Sequence, residues 1–441
     1  MIPFAFKTRV HINNKQQSAF NRWAGSRRYA FNYALQLCNE YREQNDGKLQ
    51  LTKINDFDKL FNAGKYPEGH TKRTKGDPFT GTGEHEWFRD VPASIGQAAI
   101  KSNLKDAWKR HFTGQSRPPK FQGRSRRKSF YLSNIELKPS QIRDSVIHLP
   151  KGLGIARLGD LPKWFYDCKL MGTTFSCTAG KWEVSFTLEI PEEVYYRKVS
   201  NKETSVGVDI GVVKYAALSN GEDHYSPDEL KRLQKRSEAI QRKMSANDRH
   251  RVLSVVSKCS SCCNKGINGY QDNKKFCHGC RDNLRGLSAR KKKLLASLQR
   301  VKAKMSQIRN NMSHQLSTDL VKRFDRIAIE DLAVTNMTKS AKGTAEEPGK
   351  QIKQKAGLNK ALLNVAPFKF RTLLEYKADR YGSQVVIVPP RNTSRACSQC
   401  GHTAAANRKT QADFACQECG YTKNADTNAA LNIEAKGYAL G

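Results

Sequence analysis

The sequence predicts a multidomain chain of mixed α/β and β class, and three observations carry that expectation. The chain has 441 residues, room for about three domains of ordinary size. Apolar residues recur at helical spacing from about 17 to 112, whereas 113–196 and 201–441 carry short alternating or continuous apolar runs. With 38% hydrophobic residues, the chain can also build real cores.

The elements follow in order. Residues 1–17, with Phe4, Phe6, Arg9 and Val10, read as a strand entering the fold. SAFNRWAGSRRYAFNYALQLCNEY and ASIGQAAIKSNLKDAWKRHF read as amphipathic helices, separated by a Gly-, Lys- and Thr-rich exposed loop from Pro67 to Glu84. SVIHLP and KWEVSFTLEIP alternate as strands do, and RKVSNKET forms a polar linker. TSVGVDIGVVKYAALSNG then gives two apolar strands joined at Gly211, with Asp209 at the tip of the first. FDRIAIEDL gives a buried strand ending in Glu330, SQVVIVPP another, and NADTNAALNI a small, Ala-rich helix start at Asp426.

Charge narrows the partners. Lys and Arg number 77 against 41 Asp and Glu, a formal +36, which calls for a polyanion. No run approaches the roughly 20 apolar residues of a spanning helix, and MIPFAFKTRVHINN lacks the layout of a signal peptide. The expectation is a cytoplasmic protein that meets nucleic acid and no membrane.

Nine of the 12 cysteines fall in two clusters that read as zinc sites rather than disulfides. Cys397-x-x-Cys400 and Cys416-x-x-Cys419, fifteen residues apart, suit a closed tetrahedral site with a structural role. CSSCCNKGINGYQDNKKFCHGC offers Cys259, Cys262 or Cys263, Cys277 and Cys280, with His278 as a competitor. That site is either a basic flap on nucleic acid or a staple joining two helices. Cys38, Cys168 and Cys177 are expected to bury as small apolar side chains.

Asp209 and Glu330 each close an apolar strand (VGVD, IAIE), and Asp426 precedes a helix. Functional groups gather at the carboxyl ends of parallel strands. Clustered carboxylates with open positions suit Mg²⁺, and two ions ~3.5–4 Å apart can clamp a phosphodiester for attack by water. Taken singly, each acid is as readily a turn or N-cap residue; the three motifs in this order make that reading weaker.

VGVDIGV, IAIEDL and TSRACSQCG…FACQECGYTKNADTNAALNI resemble the split RuvC nuclease of the TnpB family, transposon-associated RNA-guided nucleases related to compact type V CRISPR effectors. GSRRYAFNYAL, PPKFQGRSRRKSF, RNNMSHQLSTDLVKRFD and RTLLEYKADRYG extend the likeness over most of the chain. The resemblance implies a β-barrel wedge domain (1–17 and 113–200) carrying a helical recognition insert (18–112). It also implies an RNase H-like, RuvC-type domain (201–396 and 423–441) with an inserted zinc ribbon (397–422). The cluster at 258–281 departs from the plain helical hairpin usual there. Asp209, Glu330 and Asp426 are implied as the Mg²⁺ triad. Arg408 is implied as an active-site arginine, or else is a solvated loop residue. The implied activity is RNA-guided DNA cleavage, with a guide RNA and target DNA as partners, in a monomer or homodimer. The alternatives are a guided binder that blocks its target without cutting, and a transposition protein that acts without a guide.

Basic stripes mark where the polyanion would lie. Residues 283–318 hold no carboxylate and include Arg290, Lys291, Lys292 and Lys293. Lys120, Arg124, Arg126, Arg127 and Lys128 interleave with Phe121, Phe130 and Tyr131, which either stack bases or enter the core. Arg27, Arg28 and Asn32 are candidates for contacting a short duplex motif. The polar segment 338–360 reads as a lid over the site or an exposed loop.

Overall fold

A computed structural model describes residues 1–72, 79–123, 128–133, 145–263, 265, 267, 276–284, 286–341, 343 and 349–440. The chain forms two compact units, Met1–Tyr195 and Tyr196–Gly441, and the break falls beside the polar linker.

In the first unit, β1 (Ile2–His11) leads into α1 (Asn14–Gln44). The helix starts there because Asn13 and Gln16 form a reciprocal capping box, each side chain accepting the other's backbone N–H at 2.9 and 3.0 Å. One face of α1 buries Phe20, Trp23, Phe31 and Leu35. Helices α2 (Lys53–Ala63), α3 (Ala93–Gln97) and α4 (Lys105–Phe112) follow, the last two joined by a π-helical stretch over Ala98–Leu104. The loop expected from Pro67 to Glu84 contains a short ladder, Thr71–Lys72 against Phe79–Thr80.

Strands β2 (Lys128–Leu132), β3 (Val146–Leu149), β4 (Gly154–Leu158), β5 (Lys169–Thr178) and β6 (Lys181–Ile190) complete an antiparallel sheet. Its order is β2-β5-β6-β1-β4-β3. The first residues pair with β6 in long register, Ile2 opposite Ile190 and Phe6 opposite Phe186. Phe20 drives its ring into Phe130, Phe175 and Trp182 at 5.1 Å each, and burial of each such ring contributes about 2–3 kcal/mol. Phe130 is therefore core rather than a base-stacking surface.

The second unit is built on a sheet of order β9-β8-β7-β10-β11. Its strands are β7 (Glu203–Asp209), β8 (Ala216–Leu218), β9 (Asp223–His224), β10 (Phe324–Glu330) and β11 (Gln384–Val388). β7, β10 and β11 run parallel, while β8 returns antiparallel to β7. Two long helices, α5 (Asp228–Val256) and α7 (Ala289–Arg323), flank the short α6 (His278–Asn283). Next come α8 (Ile352–Val365) and α9 (Pro367–Tyr381). Of the segment 338–360, read as a lid or an exposed loop, residues 342 and 344–348 lie outside the described residues and α8 begins at Ile352. It is tied back by Lys355 and Asn359, which donate to Met337 O and Thr338 O.

Val206, Val208, Ile327 and Ile329 face a core shared with Leu316, Leu320, Phe370 and Leu374. The opposite sheet face is small, with Gly207 and Ala328, and receives the last helix, α10 (Ala425–Leu440). Between β11 and α10 lies a two-stranded ladder, β12 (Asp413–Ala415) with β13 (Thr422–Asn424).

Candidate active site and metal centres

Asp209 and Glu330 close neighbouring parallel strands. Val208 stands opposite Ile329, so the next residue of each strand carries its carboxylate to one edge of the sheet. Both acids are half-buried. Burial, then repulsion from Glu330 and Asp426, pushes the Asp209 carboxyl up to about 7, against the pull of Arg408 and Lys214. Burial also raises Glu330, opposed by the Thr393 hydroxyl and by Lys436. That hydroxyl lies 2.5 Å from Glu330 Oε1 and 3.0 Å from Pro390 O, the two acceptors open to it.

Asp426 reaches this edge because α10 lies directly on the sheet. A Cβ on Gly207 would come 2.0 Å from Ala430 O, and one on Gly437 2.6 Å from the Ala328 methyl. Only glycine permits an approach this close. Asp426 is not the helix cap. Asn424 Oδ1 takes that role, accepting the N–H groups of Asp426 at 3.2 Å and Thr427 at 3.4 Å. The Asp426 carboxylate instead pairs with the Arg408 guanidinium at 3.5 Å. Arg408 is held by its bond to Gln411 O at 2.9 Å and by a backbone bridge to Phe414. It is therefore no free loop arginine.

The ribbon beside these acids gathers Cys397, Cys400, Cys416 and Cys419, whose sulfurs all lie within 4.8 Å of one another. Four convergent thiols fit zinc and leave no open coordination position. Asn407 ties the two knuckles together, donating to Arg395 O and His402 O and accepting Gln417 N–H, each at 3.0 Å. Two helix residues four apart fasten the ribbon to α10. Asn428 donates to Ala396 O, and Asn432 donates to Thr393 O and Ala396 O, each at 2.8 Å.

The second cluster resolves the ligand choice left open by the sequence. Cys259, Cys262, Cys277 and Cys280 converge within the same 4.8 Å limit. Cys263 is exposed, its thiol directed at Ser260 O, and His278 turns to Asp282 at 3.0 Å. A small core of Val252, Val256, Ile267, Phe276 and Leu284 surrounds the site, so it staples the end of α5 to α6. Among the described residues, the three carboxylates are not a set converging within 4.8 Å. Of the scattered cysteines, Cys38 is buried while Cys168 and Cys177 are half-buried.

The basic candidates divide. Arg290, Lys292 and Lys293 are exposed, whereas Lys291 is paired with Asp248 at 2.6 Å. Lys120 is exposed beside Phe121, itself 58% exposed. Lys128 donates to Asn21 at 2.7 Å, and Arg124, Arg126 and Arg127 lie outside the described residues. Arg27 donates to Asn103 and Gln122, and Asn32 exchanges two bonds with the Gln122 backbone. These two hold α1 to the 121–123 segment, while Arg28 is half-buried. Thr393, Asn424, Lys214 and Asn407 escape sequence patterning, although an Asn just before a helix start is a known cap signal.

Residues 185–341 match a family model described as "Probable transposase" of the IS605 OrfB type. Residues 368–433 match the "Cas12f1-like, TNB domain". Residues 1–48 match a "Helix-turn-helix domain", though here they form one strand and one 31-residue helix. The chain is 31% identical over 437 residues to the Escherichia coli K12 protein named "Putative RNA-guided DNA endonuclease InsQ", covering 99% of this chain and 92% of that protein. A Streptomyces pristinaespiralis protein, "Putative RNA-guided DNA endonuclease", is 25% identical over 364 residues, 81% of this chain and 75% of its own length. In fold, the chain resembles the protein of a Cas12f1–sgRNA–target DNA complex, with a TM-score of 0.51 and 14% identity over 96% of this chain and 83% of that one. No described helix is long and apolar enough to cross a membrane.

Proposed function

This chain belongs to the TnpB family of RNA-guided DNA endonucleases, and from that premise we propose that it cuts DNA by hydrolysing a phosphodiester at Asp209, Glu330 and Asp426. The observation that carries the reading is the strand register, which sets Asp209 and Glu330 side by side where α10 brings the charge of Asp426.

The donor set suits a hard divalent cation. It consists of half-buried carboxylate oxygens, and burial together with the neighbouring acids pushes Asp209 upward, a cost that a bound cation would relieve. Bound Mg²⁺, as one ion or as the expected pair, would lower the pKa of the attacking water and stabilise the leaving oxygen. Thr393 orients Glu330 through its hydroxyl. Asn424 satisfies the first turn of α10, so the Asp426 carboxylate is not spent as the cap and faces Arg408. Arg408 carries a fixed positive charge beside Asp426, where it stabilises charge developing on the scissile phosphate.

We read the first unit as a wedge barrel (1–17, 113–200) with a recognition insert (18–112), and the second as a RuvC-like nuclease (201–396, 423–441). In this reading a guide RNA pairs with the target, and the protein reads a short duplex motif. Arg290, Lys292, Lys293 and Lys120 are the exposed phosphate contacts. The guided binder that does not cut is the weaker alternative, because all three acids are present. The test is Asp209→Ala. It should retain guide RNA and target affinity and lose Mg²⁺-dependent cutting; cleavage at the wild-type rate would overturn the site.

A further inference from the structure

Lys214 lies in the turn between β7 and β8, on the same hairpin as Asp209. Its ammonium is nearly enclosed, the side chain being 12% exposed, and it is paired with Asp223 at 2.9 Å. It also donates to Asn424 Oδ1 at 2.9 Å. Asn424 is the last residue of β13, where the ribbon passes into α10, and the same oxygen accepts the N–H groups of Asp426 and Thr427. One amide oxygen thus joins a cation on the Asp209 hairpin to the helical turn that carries Asp426.

We propose that Lys214 is a positioning residue which, through Asn424, fixes the third acid of the cleavage site relative to the first. The inference rests on reading Asp209 and Asp426 as members of that site. A charged donor strengthens and shortens its hydrogen bonds, and here it also polarises the oxygen that caps the helix. Asp223, on the neighbouring strand β9, neutralises and aims the ammonium, so the hairpin holds Lys214 and Lys214 holds the helix start. The asparagines of α10 secure the ribbon side of the joint, and Cys397, Cys400, Cys416 and Cys419 would hold a zinc ion that stiffens it. Lys214 secures the sheet side.

Hydrogen exchange at the Asp426 and Thr427 amides, in the full-length zinc-loaded protein, reads this latch without any cation, guide or cleavage. Lys214→Met and Asn424→Ala should each speed exchange there and leave β10 protected. The double variant should exchange no faster than Asn424→Ala alone. Unchanged exchange in Lys214→Met would overturn the proposal, and so would faster exchange throughout the chain, which would make Lys214 a general stabiliser.

In the guide-loaded complex, each single variant should slow single-turnover cutting about 10- to 100-fold, as loss of a supporting contact typically does. The pair should be no slower than the worse single, and Lys214→Arg should recover part of the rate. Losses that multiply would assign Lys214 an effect independent of Asn424 and sink the latch. Asp209→Ala in the same series separates the two ideas. If it cuts normally, the site reading fails, while the exchange result still decides the latch.

Discussion

Burial and two neighbouring acids push the Asp209 carboxyl in the same direction, up to about 7 from the ordinary value of 3.8. The folded chain therefore holds this proton more tightly than the unfolded chain does. Its contribution to stability is present below about pH 4 and is lost as pH rises through 7. Without divalent cation, Asp209→Asn should be more stable than the wild type at pH 8, by on the order of 2–4 kcal/mol, and the two should converge near pH 4. Urea unfolding at both pH values checks this. Added Mg²⁺ should stabilise the wild type and leave the variant nearly unmoved. Thr393 acts at the same scale. Replacing it with valine keeps the shape and removes the hydroxyl against Glu330; cutting should fall about 10-fold or more, with guide binding unchanged in a filter assay. The acids themselves were legible, because each closes an apolar run or precedes a helix. Thr393 and Lys214 were not, since their partners lie 63 and 210 residues away and no local pattern points across that distance.

Among the elements, α10 and the ribbon decide the site. Gly207 has no unusual backbone angle; it is small because Ala430 O and Glu434 lie against it. Gly207→Ala should push α10 off the sheet, cost about 1–3 kcal/mol, and lower cutting more than a change of that size elsewhere. Thermal unfolding and cleavage rates, measured together, test this. The ribbon was readable from knuckle spacing alone. At the other cluster the sequence left Cys262 and Cys263 in competition, and only the fold turns Cys263 outward. Two zinc equivalents per chain are expected by atomic emission. Cys416→Ser and Cys277→Ser should each lose one, and only the first should abolish cutting, since the second cluster closes a separate small core at the end of α5.

For the whole molecule, the dominant quantity is the charge of +36. Binding to nucleic acid should weaken about 10³- to 10⁵-fold between roughly 50 and 200 mM salt if some 6–10 phosphates are neutralised. A salt titration by fluorescence anisotropy measures that slope; a flat response would reject a phosphate-tracking surface. The break between the two units was legible, because the polar linker RKVSNKET begins within two residues of it. The pairing of β1 with β6 was not, since it joins residues 2–9 to 183–190 and no local signal specifies so distant a partner. The most direct test of the central claim starts from protein expressed with its native flanking DNA and purified with the RNA that accompanies it. Single-turnover cleavage of the matching target is then compared between wild type and Asp426→Asn in Mg²⁺ and in EDTA. The account predicts cutting by the wild type in Mg²⁺ alone and none by the variant; equal cutting by both, or cutting in EDTA, would contradict it.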